Sequence, residues 1–273
     1  MFKLSERRLE RDMEAVPRFI GKNIIFTAQS VGEVSGLLIN TLYWIFKGSI
    51  NWSNTVIQMV EVGWASFPVI GLTSLFTGMV LGLQLGASTK NLFNEPVYLG
   101  AAVGFSLVKE LGPVLTSIVM SGRIGASIAA ELGTMKVTEQ IDALYTLGTN
   151  PVRYLVVPRF LACMVMIPIL SAMANVLGIL GGLIVSVVSW GIPSTVYWED
   201  ILSYMEVTDF LHGFIKTFVF AGIIATVSCY KGFVCEGGAE GVGKATTSAV
   251  MISMVLILVS DYFLTALLVA IGI

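Results

Sequence analysis

Tyr98-LGAAVGFSLVKELGPVLTSIVMS-Gly122 is long enough to cross a bilayer as helix, yet it holds a lysine, a glutamate and a proline at its middle. On insertion scales a central Lys or Asp costs about 2.5–3.5 kcal/mol, and each Leu, Ile, Phe or Val contributes about −0.3 to −0.6 kcal/mol. With Glu110 treated like Asp, the two charges cost about 5–7 kcal/mol against about 3–6 kcal/mol from ten such apolar residues. The segment therefore needs neighbours, or a wet cavity, around Lys109 and Glu110. Adjacent residues of a helix do not face each other, so these two cannot fully satisfy one another. Pro113 lacks the amide that would bond the carbonyl of Lys109, and the ladder is interrupted at Gly112-Pro113. Ionisable groups at mid-depth beside such a break point to a functional site. The structural alternative is an ion pair to another helix that never meets a substrate. Gln84, late in the preceding apolar segment, can face the same cavity or act as helix glue.

The rest of the 273 residues has the same character. Hydrophobic residues make up 55% and charged residues 12%, where a soluble domain carries about 25% charged. Mean hydropathy is +0.84. A net charge of −2 with 10% aromatics excludes a basic nucleic-acid binder and a disordered acidic tail. The class is an all-α integral membrane protein. Segments at about 64–87, 98–122, 160–189, 208–230 and 247–272 are each long enough to span as helices, and none alternates like a barrel strand. Residues 1–63 read as a cytoplasmic N-terminus with interfacial, elbow-like helices, and 64–273 as the five-span domain. The N-terminus has no apolar core or cleavage site of a signal peptide, and its acids argue against a transit peptide. Lys3, Arg7, Arg8, Arg11, Arg18, Lys22 and Lys47 precede the first span, while the 190–207 loop has acids and no Lys or Arg. The expected orientation is N-terminus cytoplasmic and C-terminus external.

Several shorter features carry chemistry or packing. Gly78, Gly82 and Gly86 form GxxxGxxxG, and Gly100 and Gly104 form GxxxG; they permit close helix approach within the chain or along a homodimer seam. Lys216 in the fourth span and Asp261 in the fifth are expected to neutralise each other as an intramembrane pair. Val137, Ile141 and Leu144 recur at helical spacing in the 123–159 loop, with Glu139, Gln140 and Asp142 on other faces. That short amphipathic helix needs a docking partner, either membrane surface or protein. Gly238-AEGV-Gly243-Lys244-Ala245 nearly matches a phosphate-binding loop, but Ala245 stands where the magnesium-binding hydroxyl belongs and no α/β unit surrounds it. ATP binding by this chain is rejected. Cys163, Cys229, Cys235 and the single His212 form no disulfide framework, zinc site or triad.

The block Lys109-ELGPVLTSIVMSGRIGASIAAELGTMKVTEQIDAL-Tyr145, with Asn150-Pro151 and Pro158-Arg159, resembles the MlaE/YrbE permeases, membrane subunits of Mce-associated lipid ABC transporters. The stretches Tyr230-KGFVCEGGAEGVGKATTSAV-Met251 and Asp261-YFLT match the same family, so the resemblance covers about residues 60–273. It implies a multi-pass homodimer in the bacterial inner membrane, moving phospholipid or a related hydrophobic lipid. The implied partners are an ABC ATPase, which uses ATP and Mg in a chain of its own, an external MCE-domain protein and often a STAS-domain protein. No nucleic acid and no cofactor in this chain are implied. By the resemblance, Lys109, Glu110 and Leu111 line the lipid cavity with Gln84 near it, and the helix at about 131–147 is the coupling helix gripped by the ATPase. Glu131, Lys136, Glu139 and Asp142 are the coupling candidates. An ion-coupled carrier using Glu110, Lys216 and Asp261 as a relay is the alternative; a passive anchor for the MCE protein is a third reading.

Overall fold

The computed structural model describes residues 25, 28–48, 50–93 and 98–272. The basic residues Lys3 to Lys22 that weigh on orientation lie outside the described residues. Among the described residues the chain is helical: α1 (28–47), α2 (Trp52–Gly63), α3 (Phe67–Phe93), α4 (Leu99–Phe105), α5 (Gly112–Met120), α6 (Ala126–Val137), α7 (Gln140–Thr146), α8 (Val157–Trp190), α9 (Ser194–Tyr204), α10 (Val207–Phe233) and α11 (Gly238–Ile271). Wider π-helical turns occupy Ser106–Leu111, Ser121–Gly125 and Val152–Val156. Five helical stretches are long and apolar enough to cross a membrane: Trp52–Asn91, Leu99–Val137, Val152–Trp190, Val207–Phe233 and Gly238–Ile271.

The first stretch starts earlier than its hydropathy from residue 64 implies. Asn51 caps α2 by accepting from the Asn54 amide, and the helix is interrupted at Trp64–Ser66. Pro68, which has no amide to give the carbonyl of Trp64, sits in the first turn of α3, where helices tolerate proline. The first apolar stretch is thus two helices joined by a tight turn.

Long α8 and α10 form the interior on which the other elements pack. The glycines of α3 face α8: a Cβ on Gly78 would overlap the carbonyl of Gly178, and one on Gly82 would come 3.3 Å from that of Gly182. Trp190 Nε1 donates to Gly82 O at 3.1 Å and occupies the space beside Gly86. The glycine stripe of α3 therefore serves packing within the chain. Gly100 of α4 does the same against the Tyr197 carbonyl of α9. By contrast α11 keeps Val255, Leu258, Tyr262, Phe263 and Leu267 exposed.

A methyl group at position 78 has no space unless α3 and α8 separate. Gly78→Ala is expected to destabilise the protein by about 1–3 kcal/mol, read as a lower thermal unfolding midpoint in detergent. At Gly36 of α1 an added Cβ meets open space, so Gly36→Ala should leave the midpoint unchanged or slightly raised. Equal effects would mean that α3 and α8 do not meet at Gly78.

Candidate functional site

The Lys109-Glu110 segment does not break. It widens into the π-helical turn Ser106–Leu111, closed by the Gly112 amide donating to Leu107 O, and helix resumes at Gly112. Pro113 then lies in the first turn of α5, where its missing amide costs little. The carbonyl of Lys109, deprived of its usual donor, accepts from Lys216 Nζ at 3.2 Å. A lysine on a neighbouring helix thus closes the gap that proline opens.

Lys216 does more. Its side chain is fully buried, and Nζ donates to Glu110 Oε2 at 2.7 Å. Asp261 Oδ1 lies 3.0 Å from the same ammonium, off the direction of a hydrogen bond, so it is held by charge. The expected Lys216–Asp261 pair is therefore a triad with Glu110 at its other side. Thr265 of α11 shares its one hydroxyl proton between the Asp261 carbonyl at 2.8 Å and Glu110 Oε1 at 3.2 Å, which brings the carboxylate against α11 as well as α10.

Lys109 turns away from Glu110 and pairs with Asp209 Oδ1 at 2.7 Å. Asp209 and Lys216 are seven residues apart and share one face of α10. Between them Gly213 lets α10 press onto the π-helical turn, since a Cβ there would overlap the carbonyl of Val108. Gly112 plays the matching part against α8, where a Cβ would overlap Asn175 Oδ1. Nothing in the sequence singles out Asp209 or Gly213, and Thr265 figures there only within the Asp261-YFLT stretch. Asp209 hides because it stands near the start of α10, where its Oδ2 accepts from the Glu206 amide in a capping box.

Accessibility divides the cluster. The side chains of Lys109 and Glu110 are 31% and 39% exposed, while their partners Asp209 and Lys216 are 9% and 0%. Two cavities lie near this segment, and neither is lined by Lys109 or Glu110. One of about 260 Å³ is lined by Leu111, Gly112 and Thr116 together with Thr73, Ser74 and Thr77 of α3. The other, about 390 Å³, is an apolar groove between α8 and α10 bordered by Asn175, Val176, Phe210, Leu211 and Phe214. Leu111 thus lines a cavity as well as packing in the core. Gln84 is exposed on α3, about two turns beyond Thr77, outside the contacts of the cluster.

The coupling candidates divide similarly. The single helix expected at about 131–147 is two helices, because Thr138-Glu139 forms a knee with Glu139 in the left-handed region at φ 59°. Lys136 and Asp142 bridge the knee at 3.0 Å. Glu131 is held by buried Arg159 at 2.7 Å, and Arg159 also donates to Leu155 O. Glu139 is exposed at the knee. The glycines of Gly238-AEGV-Gly243 form the left-handed entry and first turns of α11, with Lys244 paired to Glu240 one turn earlier. This is helix, not a phosphate cradle.

The family model for Permease MlaE matches residues 55–267. A probable ABC transporter permease protein of Rickettsia typhi is 42% identical over 253 residues, covering 93% of this chain and 97% of the relative. Proteins with the same description from Synechocystis sp. and Porphyra purpurea are 41% and 39% identical, each over 82% of this chain and 85% and 84% of their own lengths.

Removing one member of a buried ion pair strands the other, at a cost of about 3–5 kcal/mol. Lys216→Met, which strands both Glu110 and Asp261 and orphans the Lys109 carbonyl, should cause a loss of that size in detergent unfolding assays. Asp261→Asn leaves Lys216 with Glu110 and should cost about 1 kcal/mol. Reversal of that ranking would make Asp261 the principal partner.

Proposed function

The chain belongs to the MlaE permease family, and from that premise we propose that it is the permease subunit of an ABC transporter for phospholipid or a related hydrophobic lipid. In this reading the chain works as a multi-pass homodimer in the bacterial inner membrane, N-terminus cytoplasmic and C-terminus external. A separate ATPase subunit binds ATP and Mg and hydrolyses the nucleotide; an external MCE-domain protein, and in some assemblies a STAS-domain protein, completes the complex. The exposed apolar face of α11 is where a second copy would pack. The chain itself makes and breaks no covalent bonds.

The observation that supports the lipid reading is the cluster of charges with two accessible members, Lys109 and Glu110, in a segment whose next residues, Leu111 and Gly112, line a largely apolar cavity. An amphiphile needs both kinds of surface. A well-packed apolar contact of similar volume is often as stable as a buried ion pair, so stability alone does not account for five charged groups here. The buried pair Asp209 and Lys216 would hold the accessible pair in place, and the accessible pair would meet the headgroup. The exposed knee at Glu139, braced by Lys136–Asp142 and backed by Glu131–Arg159, supplies a surface for the ATPase.

Glu110→Gln keeps the size of the side chain and one of its two acceptor oxygens, which can still take Lys216, but removes the charge and leaves Thr265 to its other acceptor, the Asp261 carbonyl. It should lower lipid transport at least about tenfold, the scale of one lost charge-assisted contact, while the complex with the ATPase still assembles. Normal transport would remove Glu110 from lipid handling. Glu139→Lys changes the exposed knee without touching the Lys136–Asp142 brace and should uncouple ATP hydrolysis from transport in reconstituted vesicles. Full coupling would place the ATPase contact elsewhere. The contiguity of Glu110, Lys216 and Asp261 also favours one competing reading, an ion-coupled carrier. That reading requires transport by the isolated chain that follows the proton gradient, whereas the permease requires a co-purifying ATPase.

A further inference from the structure

His212 is the only histidine of the chain, and the charged cluster beside it makes no use of it. It stands on α10 one turn after Asp209 and one turn before Lys216, on the face that carries both. The side chain is buried, and neither ring nitrogen has a hydrogen-bond partner among the described residues. The backbone acceptor beside the ring, the Lys109 carbonyl, is already taken by Lys216 Nζ. A neutral imidazole carries one donor and one acceptor, and leaving both unmet in a buried site is costly. An idle histidine held at that cost points to a second state in which it is paired.

The charges around the ring define that state. Lys109 and Glu110 act on it from the π-helical turn, Asp209 and Lys216 share its face of α10, and Asp261 of α11 joins through Lys216. Three carboxylates thus share two ammonium groups. While Lys109 holds Asp209, a further positive charge beside the two ammonium groups is unfavourable.

An anionic headgroup that draws Lys109 away reverses this. One repelling charge leaves, and Asp209, whose side chain is 9% exposed, becomes a buried carboxylate without its cation. It cannot turn to solvent without giving up the Glu206 amide and the capping box that starts α10. Lys216 is committed to Glu110, Asp261 and the Lys109 carbonyl. His212, one turn away with both nitrogens unpartnered, can supply the missing charge. We infer that His212 is a proton-binding site linked to the lipid: when a lipid phosphate takes Lys109 from Asp209, the imidazole gains a proton from water at the partly open Lys109 and pairs with Asp209 in its place. The inference rests on the headgroup contact proposed for Lys109. It adds a chemical requirement, that an anionic lipid enters with a proton and leaves as the proton is released.

Two measurements on the full-length protein in detergent separate the inference from that contact. Lys109→Ala bares Asp209 with no lipid present, so His212 should then carry its proton in the folded protein. A charged pair formed only on folding adds stability at low pH that is lost as pH rises. The unfolding midpoint of Lys109→Ala should therefore rise relative to wild type as pH falls from about 8 to 6, and adding His212→Gln should abolish the rise. A gap between the two midpoints that ignores pH, or a rise that survives His212→Gln, overturns the inference. The second measurement is calorimetry with dihexanoyl phosphatidylglycerol at about pH 7 in buffers of different ionisation enthalpy. Wild type should take up close to, or about, one proton per lipid, and His212→Gln about none. Dihexanoylglycerol, which has no phosphate, should bring no uptake; equal uptake overturns the exchange at Asp209. Lipid affinity that falls about tenfold in Lys109→Ala, with buffer-independent heat in wild type, overturns the inference and leaves the headgroup contact standing. Affinity indifferent to Lys109→Ala removes the headgroup contact and the lipid linkage with it.

Discussion

A lysine ammonium that no solvent reaches, inside a bundle of apolar helices, constrains the structure more than any other group. Lys216 cannot be neutralised by water, so the fold must bring acceptors to it. It takes them from the Lys109 carbonyl, Glu110 and Asp261, and those acceptors belong to the π-helical turn before α5 and to α11. One side chain therefore joins three membrane-crossing segments. The joint also resolves two local problems, the carbonyl orphaned by Pro113 and the charge of Glu110. Neither would be tolerated on an isolated helix.

A lysine side chain reaches only a few ångströms beyond its own helix surface, so this joint needs backbones that nearly touch. Gly213 supplies that approach against Val108, and Gly112 supplies it against Asn175 of α8. The α3–α8 contact at Gly78 and Gly178 follows the same rule some distance away. Glycine in mid-helix costs about 0.5–1 kcal/mol relative to alanine, and here that cost is offset by contacts and ion pairs that a Cβ would hold apart. The glycines thus work on the inside of one chain, which leaves the outward apolar side chains of α11 free for lipid or a second copy.

How much of this is legible in the residues alone depends on what each feature requires. Membrane spans follow from hydropathy, and the need of Lys109 and Glu110 for partners follows from insertion cost, so the site is visible before the fold. The Lys216–Asp261 contact is legible because two opposite charges in sequential spans have few alternatives. Asp209 is not, since an acid near a helix start reads as a cap, and it does cap: one oxygen takes the Glu206 amide and the other takes Lys109. The knee at Thr138-Glu139 contains neither glycine nor proline, so nothing local marks a left-handed residue there. The π-helical turn is equally hidden. Pro113 announces a defect, and only the position of α10 determines that the defect is a wider turn closed by a lysine.

The cluster and the proposed coupling surface share a physical element. α10 runs without proline for 27 residues, a rod of about 40 Å, from Asp209 beside Lys109 to Gly232, whose added Cβ would press on Leu132 of α6. A shift of α6 at that contact has no kink within α10 to absorb it. Along the rod, Asp209 and Lys216 hold their partners with direct contacts of 2.7 Å, short enough that sliding by even one residue, about 1.5 Å, would break both. Asp209 and Lys216 would carry their buried charges with them, and Lys109 and Glu110, already partly open, would be the groups left exposed. With the buried partners on one unkinked helix and the accessible partners on the π-helical turn, a movement of the rod would free the charges of Lys109 and Glu110.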